Sequence, residues 1–428
     1  MSVTALIVEY NPFHNGHQYH LNQSKKITQN DDLIVIMSGN FTQRGEAALL
    51  DKWARTEQAL SCGADLVLEL PLTYNIRSAE YFAHYSVLSL AKSNLVDSIV
   101  FGSEAGEIKI LAAVAEALVK ESSNFKKELQ KHLANGVDFP TARRRALLTC
   151  YQSNSELKKY NKSRIEKILK APNNILGIEY LKALSRLNSS IKAYTIKRVG
   201  ADYYSQEVNE NYASASLIRN LINSKPQAEA LAAAQNLMPA ASWKILKKEI
   251  EKGRFVKKDY KTKILSKTVD QLRRSRAEDL IKFKGIKNGL ENRIIEKAAA
   301  SFKAESFLDT LKSKNLTESR IKRKLLQVYF GLDAEKINIA ENNAPHYLRV
   351  LGLKKNKEYL LSQLQQKSEV EIIINPAAKI NEINLNTQDP LVLSLSFDLL
   401  ASDLYALLYQ NSDHSKARRD FYQKFIKI

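Results

Sequence analysis

The run EYNPFHNGHQYH, Glu9 to His20, gathers three of the chain's seven histidines. His14 and His17 stand three apart, with Gly16 between them and Pro12 just ahead. Two imidazoles so spaced across the first turn of a helix face one way and can donate hydrogen bonds to phosphate oxygens as negative charge builds at a phosphorus. Pro12 stiffens the turn, and Gly16 lets the backbone approach a ligand. A helix start adds unsatisfied N–H groups and a dipole that favours anions. A zinc pair has the same H-x-x-H spacing, but structural zinc asks for four Cys or His ligands, and neither Cys62 nor Cys150 is near in sequence.

The elements that must carry these residues alternate. TALIVEY (4–10), DLIVIM (32–37), DLVLEL (65–70) and DSIVFG (97–102) are short, almost continuous runs of Val, Ile and Leu, as buried parallel strands require. Helical stretches over about 16–28, 50–62 and 78–93 separate them. Such alternation predicts an α/β fold, a doubly wound parallel sheet whose ligands sit at the carboxyl ends of its strands. Residues 107–170 form an expected helical insertion, with FPTARRRALL opening one helix at Pro140. APNNILGIEYLKAL (171–184) reads as a turn and a helix, SIKAYTIKRVG (190–200) as a fifth strand, and SASLIRNLI (214–222) as a helix capped by serine. The first domain is therefore expected to span 1–222 and a second, mainly α-helical and basic, 223–428. One β-like run, EVEIIINP (369–376), interrupts the second and can rejoin a sheet.

Composition narrows the partners. The hydrophobic fraction of 44% and charged fraction of 26% are those of an ordinary globular chain, and the net charge of +19 creates a field that draws polyanions, nucleic acid foremost. The surplus is uneven. Lys and Arg far outnumber Asp and Glu between Lys244 and Lys287, with Trp243, Phe255, Tyr260 and Phe283 among them, and a second basic cluster, ESRIKRKLLQVYF, follows at 318–330. Lys247, Lys248, Arg273 and Arg274 are the expected RNA contacts. Two cysteines make no disulfide framework. No leader or membrane anchor is expected, since PLVLSLSFDLLASDLYALLY is broken by Asp398 and Asp403, and the cytoplasm is the expected compartment.

PFHNGH resembles the H-x-G-H signature of the nucleotidyltransferase superfamily that includes the class I aminoacyl-tRNA synthetases, in which both histidines contact ATP phosphates. SASLIRN (214–220) resembles that superfamily's second signature, which would set Ser214, Ser216 and Arg219 against the phosphates from across the cleft. A closer resemblance covers nearly the whole chain. VEYNPFHNGHQYHL, MSGNFTQRGEAALLDKWARTEQAL, GADLVLELP, FGSE, PNNILGIEYLKAL, IKRVGADY and YLRVLG together are similar to the bacterial tRNA(Met) cytidine acetate ligases, a HIGH-type, Rossmann-like fold.

That resemblance implies that acetate is activated by ATP as acetyl-adenylate and passed to N4 of the wobble cytidine, C34, of elongator tRNA(Met). It also implies an ATP site. Ile7, Val8, Glu9 and Tyr10 would come from the strand end, Asn11, Pro12 and Phe13 from the turn, and His14, Asn15, Gly16, His17, Gln18, Tyr19 and His20 from the helix start. Gly102 would lie against the nucleoside, Asn173 would hydrogen-bond it, and Arg198 would neutralise phosphate. His14, His17 and Arg219 are the expected catalytic groups, with His20 lining or packing. SGNFTQRGE (38–46) follows the second strand, so Gly39, Asn40, Gln43 and Arg44 are provisional acetate or phosphate contacts, in a pocket that must be small to select a two-carbon acid. Mg²⁺ would help pyrophosphate leave, although no acidic cluster announces a metal site. A nucleotidyltransferase making a dinucleotide cofactor would share the first domain without needing a basic helical half. A non-catalytic RNA-binding relative would not need His14, Gly16, His17 and Arg219 intact. KILSK (263–267) has the look of a synthetase lysine-serine loop but lies in the helical region.

Overall fold

The structure is a computed structural model, and it describes residues 2–198, 213–301, 304–313 and 316–428. The strands are β1 (Val3–Val8), β2 (Asp32–Ser38), β3 (Leu66–Leu70), β4 (Ser98–Ser103), β5 (Lys192–Lys197), β6 (Tyr347–Leu353), β7 (Glu371–Ile373) and β8 (Ile426–Lys427). They form one sheet in the order β5-β4-β1-β2-β3-β6-β7, with β8 also on β6. The first five are mutually parallel, in a register such as Val3↔Asp32 to Val8↔Met37. In the first four the Val, Ile and Leu side chains are covered on both faces, which is why the runs are continuous rather than alternating. The chain steps outward from β1 to β2 and β3, then returns to lay β4 on the other side of β1. That reversal is the switch point at which α/β sheets open a crevice.

The helices Asn15–Thr28, Lys52–Ser61 and Ala79–Lys92 follow the first three strands, as periodicity predicts. In the insertion, Asp138 caps the helix Phe139–Thr149 by accepting from Thr141 N at 3.1 Å, with Pro140 in its first turn. From Ala215 to Glu341 the described elements are all helices, and KILSK lies inside the helix Tyr260–Arg273.

The division at residue 222 does not hold for the sheet. β6 pairs antiparallel with β3, and β7 and β8 pair parallel with β6, so the C-terminal part of the chain completes the sheet begun at the N-terminus. EVEIIINP does rejoin it, through β7. β6 escapes a periodicity reading because a charge, Arg349, sits in its centre. That charge is fully buried among partners from distant segments: Glu69 of β3 at 3.2 Å and Asp420 at 3.4 Å. Lys52, also fully buried, donates to Glu69 at 2.8 and 2.9 Å and to Asp420 at 2.9 Å. Two cations and two carboxylates thus neutralise one another where no solvent can, and bind the C-terminal residues to the third strand and to the helix Lys52–Ser61 before it.

Removing Lys52 leaves two buried carboxylates short of charge. Lys52→Met is expected to cost about 3–5 kcal/mol, seen as a fall in the urea midpoint of unfolding; an unchanged midpoint would show that the cluster does not hold the halves together.

Candidate active site

At the carboxyl ends of β1, β4 and β5 the chain opens a cleft of about 520 Å³. Its floor is Ile7, Val8, Gly102 and Ile196, and the loop after β1 rises along one side. Tyr10 takes a left-handed backbone (φ 46°) that turns the chain away from the strand. His14 then caps the helix Asn15–Thr28: its Nδ1 accepts from Gly16 N at 3.0 Å, while His17 Nδ1 accepts from His14 N at 3.3 Å. The two rings stack with centroids 3.7 Å apart.

This reciprocal cap fixes the chemistry. A ring nitrogen that accepts a backbone N–H carries no proton, so in each neutral imidazole the proton resides on Nε2, leaving a donor for the cleft. Both rings are held neutral. Burial pushes His14 down to about 3, helped by Arg198 and Arg219, and burial followed by the His14, Arg198 and His20 fields pushes His17 well below its ordinary range. His20 is pushed down to about 4 by burial and Arg198. Gly16 is required by the same geometry: a Cβ there would stand 2.8 Å from His14 Cε1.

Cations face the imidazoles. Arg219, one turn into the helix Ala215–Ser224, donates to Asn11 O at 2.6 Å and to Ser216 Oγ at 3.2 Å, and Ser214 caps that helix by accepting from Leu217 N at 3.1 Å. Arg198 leaves the end of β5 beside Gly102, where a Cβ would lie 3.4 Å from Arg198 Cγ. Arg44 and Arg323 bring further guanidinium groups to the lining, together with the carboxylates of Glu9 and Glu46. A polyanion suits this balance. Asn173, in the first turn of the helix Pro172–Arg186, is set by Glu104, the acid of FGSE. One Glu104 oxygen accepts from Asn173 Nδ2 at 2.7 Å and the other from Asn174 N at 2.8 Å.

Several of the expected residues lie away from the cleft. Pro12, Phe13, Asn15 and Gln18 do not line the cleft. Phe13 is fully buried and its carbonyl accepts from Ser242 Oγ at 2.9 Å, Asn15 N donates to Leu237 O at 3.1 Å, and Gln18 Nε2 donates to Cys62 O at 2.9 Å, so these residues anchor the loop from behind. In the second loop Gln43 and Arg44 reach the cleft, but Gly39 and Asn40 do not. Asn40 is buried between Lys52 N, from which it accepts at 2.7 Å, and Ser402 Oγ, to which it donates at 3.2 Å; a Cβ on Gly39 would run into Glu69. Arg273 holds the carbonyls of Ala298 and Ser301 at 3.0 and 2.6 Å, a structural task. Lys247 pairs loosely with Glu251 at 3.8 Å, Lys248 with Glu57 at 3.5 Å, and Arg274 with Asp270 at 3.0 Å. The Gly-Ala-Asp-Tyr end of IKRVGADY lies outside the described residues.

Other lining residues carried no recognisable signal in the sequence. Phe101, Leu176 and Tyr180 give the cleft an apolar side, and Ser319 and Arg323 come from the helix Glu318–Phe330, within the second basic cluster. That helix reaches the cleft because Gly45 (φ 80°) has no side chain: a Cβ would stand 2.8 Å from Arg323 N. Next to it, Glu46 accepts from Lys322 at 2.6 Å and lies 3.6 Å from Lys261.

The chain is similar to known proteins over its whole length. The family described as HIGH Nucleotidyl Transferase matches residues 1–420. The tRNA(Met) cytidine acetate ligase of Halothermothrix orenii is 43% identical over 428 residues, all of both chains, and that of Acetivibrio thermocellus is 39% identical over 431 residues, again all of both. Among solved structures, Thermotoga maritima TmcAL bound with alpha-thio ATP superposes with a TM-score of 0.89 at 32% identity, covering 100% of each chain.

Depressed histidines make the fold acid-sensitive. An unfolded imidazole binds its proton near pH 6.5 whereas His14 and His20 refuse it until about 3 and about 4, so stability is complete above pH 6.5 and is lost as pH falls below it. Melting temperature is expected to drop between pH 6.5 and 4, less steeply in His14→Asn, while the NMR signals of the His14 and His20 rings stay constant from pH 8 to 5. A ring titrating near 6.5 would contradict this.

Proposed function

The chain belongs to the tRNA(Met) cytidine acetate ligase family within the HIGH nucleotidyl transferases, and from that premise we propose how its cleft works. The protein is an ATP-dependent ligase that joins acetate to a cytidine of tRNA(Met), with N4 of the wobble base as the acceptor. The observation that carries the residue assignment is the reciprocal cap, which leaves two neutral N–H donors in a cleft that four arginines also line.

In the first half-reaction a carboxylate oxygen of acetate attacks the α-phosphorus, the bond to the bridging oxygen breaks, and pyrophosphate departs. His14 and His17 donate to phosphate oxygens as charge moves onto them, and Arg219, Arg198 and the hydroxyls of Ser214 and Ser216 hold the triphosphate in line. The nucleoside rests against Gly102 and Asn173, with Phe101 and Tyr180 on its apolar side. In the second half-reaction N4 attacks the acetyl carbon, AMP leaves with the former acetate oxygen, and N4 gives up a proton. The exocyclic amine is a poor nucleophile, so activation of the acid is what makes the transfer feasible. Mg²⁺ would arrive on the triphosphate, since among the described residues no three His, Cys, Asp or Glu side chains gather to hold it. The basic helical region contacts tRNA, with Lys247, Lys248 and Arg274 exposed to it and Arg273 shaping the surface. A tRNA substrate also places the protein in the cytoplasm.

Acetate-dependent exchange of pyrophosphate into ATP tests the first half-reaction. Exchange without acetate, or only with a second nucleotide, would refute it. His17→Ala is expected to lower the exchange rate about 10²–10³-fold with the melting curve near wild type. Cells lacking the chain should lose N4-acetylcytidine from tRNA digests by mass spectrometry.

A further inference from the structure

The basic cluster at 318–330 does more than add to the general field. The helix Glu318–Phe330 turns Ser319 and Arg323 into the cleft, and the neighbouring Arg320 is exposed beside them. Opposite, the helix Ala79–Lys92 turns Ala79 and Phe82 into the cleft, with Tyr81 on the outside and 37% exposed. Arg77 covers the Tyr81 ring at 4.2 Å and Lys284 stands 5.9 Å from its centroid. Aromatic and cationic groups thus border the mouth of the cleft on two sides.

The carboxylates here are committed elsewhere. Glu341 is shared by Arg77 at 2.9 Å and Lys284 at 3.2 Å, Glu318 by Lys322 at 2.6 Å and Lys312 at 3.0 Å, and Glu46 by Lys322 and Lys261. Among the described residues Arg320 and Arg323 pair with no carboxylate. Charges crowd: burial and the fields of Arg77, Arg320, Arg323 and Lys284 push Lys324 down to about 7, and burial with Arg320 and Arg44 pushes Arg323 down to about 10. Such a cluster is relieved by an anion. An ATP phosphate is not suited to the role, because Arg320 and Tyr81 lie outside the lining of the cleft. The exposed cations Lys247, Lys248 and Arg274, by contrast, already have acidic neighbours.

We propose that the single-stranded RNA carrying the acceptor cytidine enters across this rim, with a base stacked on Tyr81 and backbone phosphates against Arg320 and Arg323. Single strands are held by an aromatic platform beside a cationic track, and a cytidine anchored here is one step from the cleft. The reading rests on the cleft being the acyl-activating site. Arg320 and Tyr81 act on the RNA and not on the adenylation.

The test uses full-length protein, unmodified tRNA(Met) and two assays. Arg320→Glu and Tyr81→Ala are each expected to leave acetate-dependent pyrophosphate exchange at the wild-type rate and to raise the KM for tRNA roughly ten-fold or more, while Tyr81→Phe, which keeps the ring, restores it. In Arg320→Glu the slope of log affinity for tRNA against log salt should flatten by about 1. Wild-type KM in both Arg320→Glu and Tyr81→Ala, with a wild-type salt slope in Arg320→Glu, would overturn the proposal, whatever Lys247→Glu/Lys248→Glu does. Absence of acetate-dependent exchange in the wild-type protein would instead overturn the reading of the cleft, and so separates the two.

Discussion

Arg55 is the fixed point of this structure. It is completely buried, among the described residues it hydrogen-bonds to no carboxylate, and its guanidinium donates to four carbonyls: Leu50, Glu9, Ser38 and Gly39. Ser38 closes β2, and Glu9 and Gly39 are the first residues past the ends of β1 and β2, where a parallel sheet leaves carbonyls without partners. One cation, with its donors in a rigid fork, satisfies them all and sets the two loops at a fixed separation. Tyr10, His14 and His17 follow from Glu9; Gln43, Arg44 and Glu46 follow from Gly39. Glu9 Oε1 accepts from Gln43 N at 2.8 Å, which ties the loops together again above the arginine.

The helical region is a wall of the same cleft. Arg219 holds Asn11 O, Leu237 receives Asn15 N, Ser242 receives Gln58 Nε2 and donates to Phe13 O, and Gly45 lies on the backbone at Arg323. Each contact crosses from the loops and helices around the first strands to the helical region far along the chain. The basic helical region and the H-x-G-H loop therefore share backbone anchors. On the proposed mechanism, an acyl-adenylate made beside His14 and His17 would form within a rim built partly by the basic helices, which shortens the path from activation to transfer.

What could be read in the sequence is what is encoded locally. The H-x-G-H turn was legible because strand, turn, cap and glycine are contiguous, the first four parallel strands because burial on both faces leaves nearly unbroken apolar runs, and the fifth, half-buried at the sheet edge, because its residues alternate. Arg349, Lys52 and Asp420 were opaque: a charge in a strand is intelligible only beside partners tens to hundreds of residues away. Likewise the H-x-G-H loop has two sides, and nothing in its residue types says that Phe13 and Asn15 turn to the helices while His14 and His17 turn to the cleft. Arg323 could be read as basic, but its place in the cleft depends on the missing side chain of Gly45.

On the proposed mechanism, the choice of histidine at the phosphates follows from the charge already present. Arg44, Arg198, Arg219 and Arg323 line the cleft, and a further fixed cation would be repelled by all of them and would bind ATP before reaction as strongly as after. Neutral imidazoles avoid this. Their rings are held unprotonated by burial first and then by the field of Arg198, joined at His14 by that of Arg219. Each presents a directed N–H whose attraction grows as charge accumulates on the departing pyrophosphate, so its stabilisation is concentrated in the transition state. The backbone N–H groups of Gly16 and His14, spent on the two Nδ1 atoms, are what hold those donors in place before the substrate arrives.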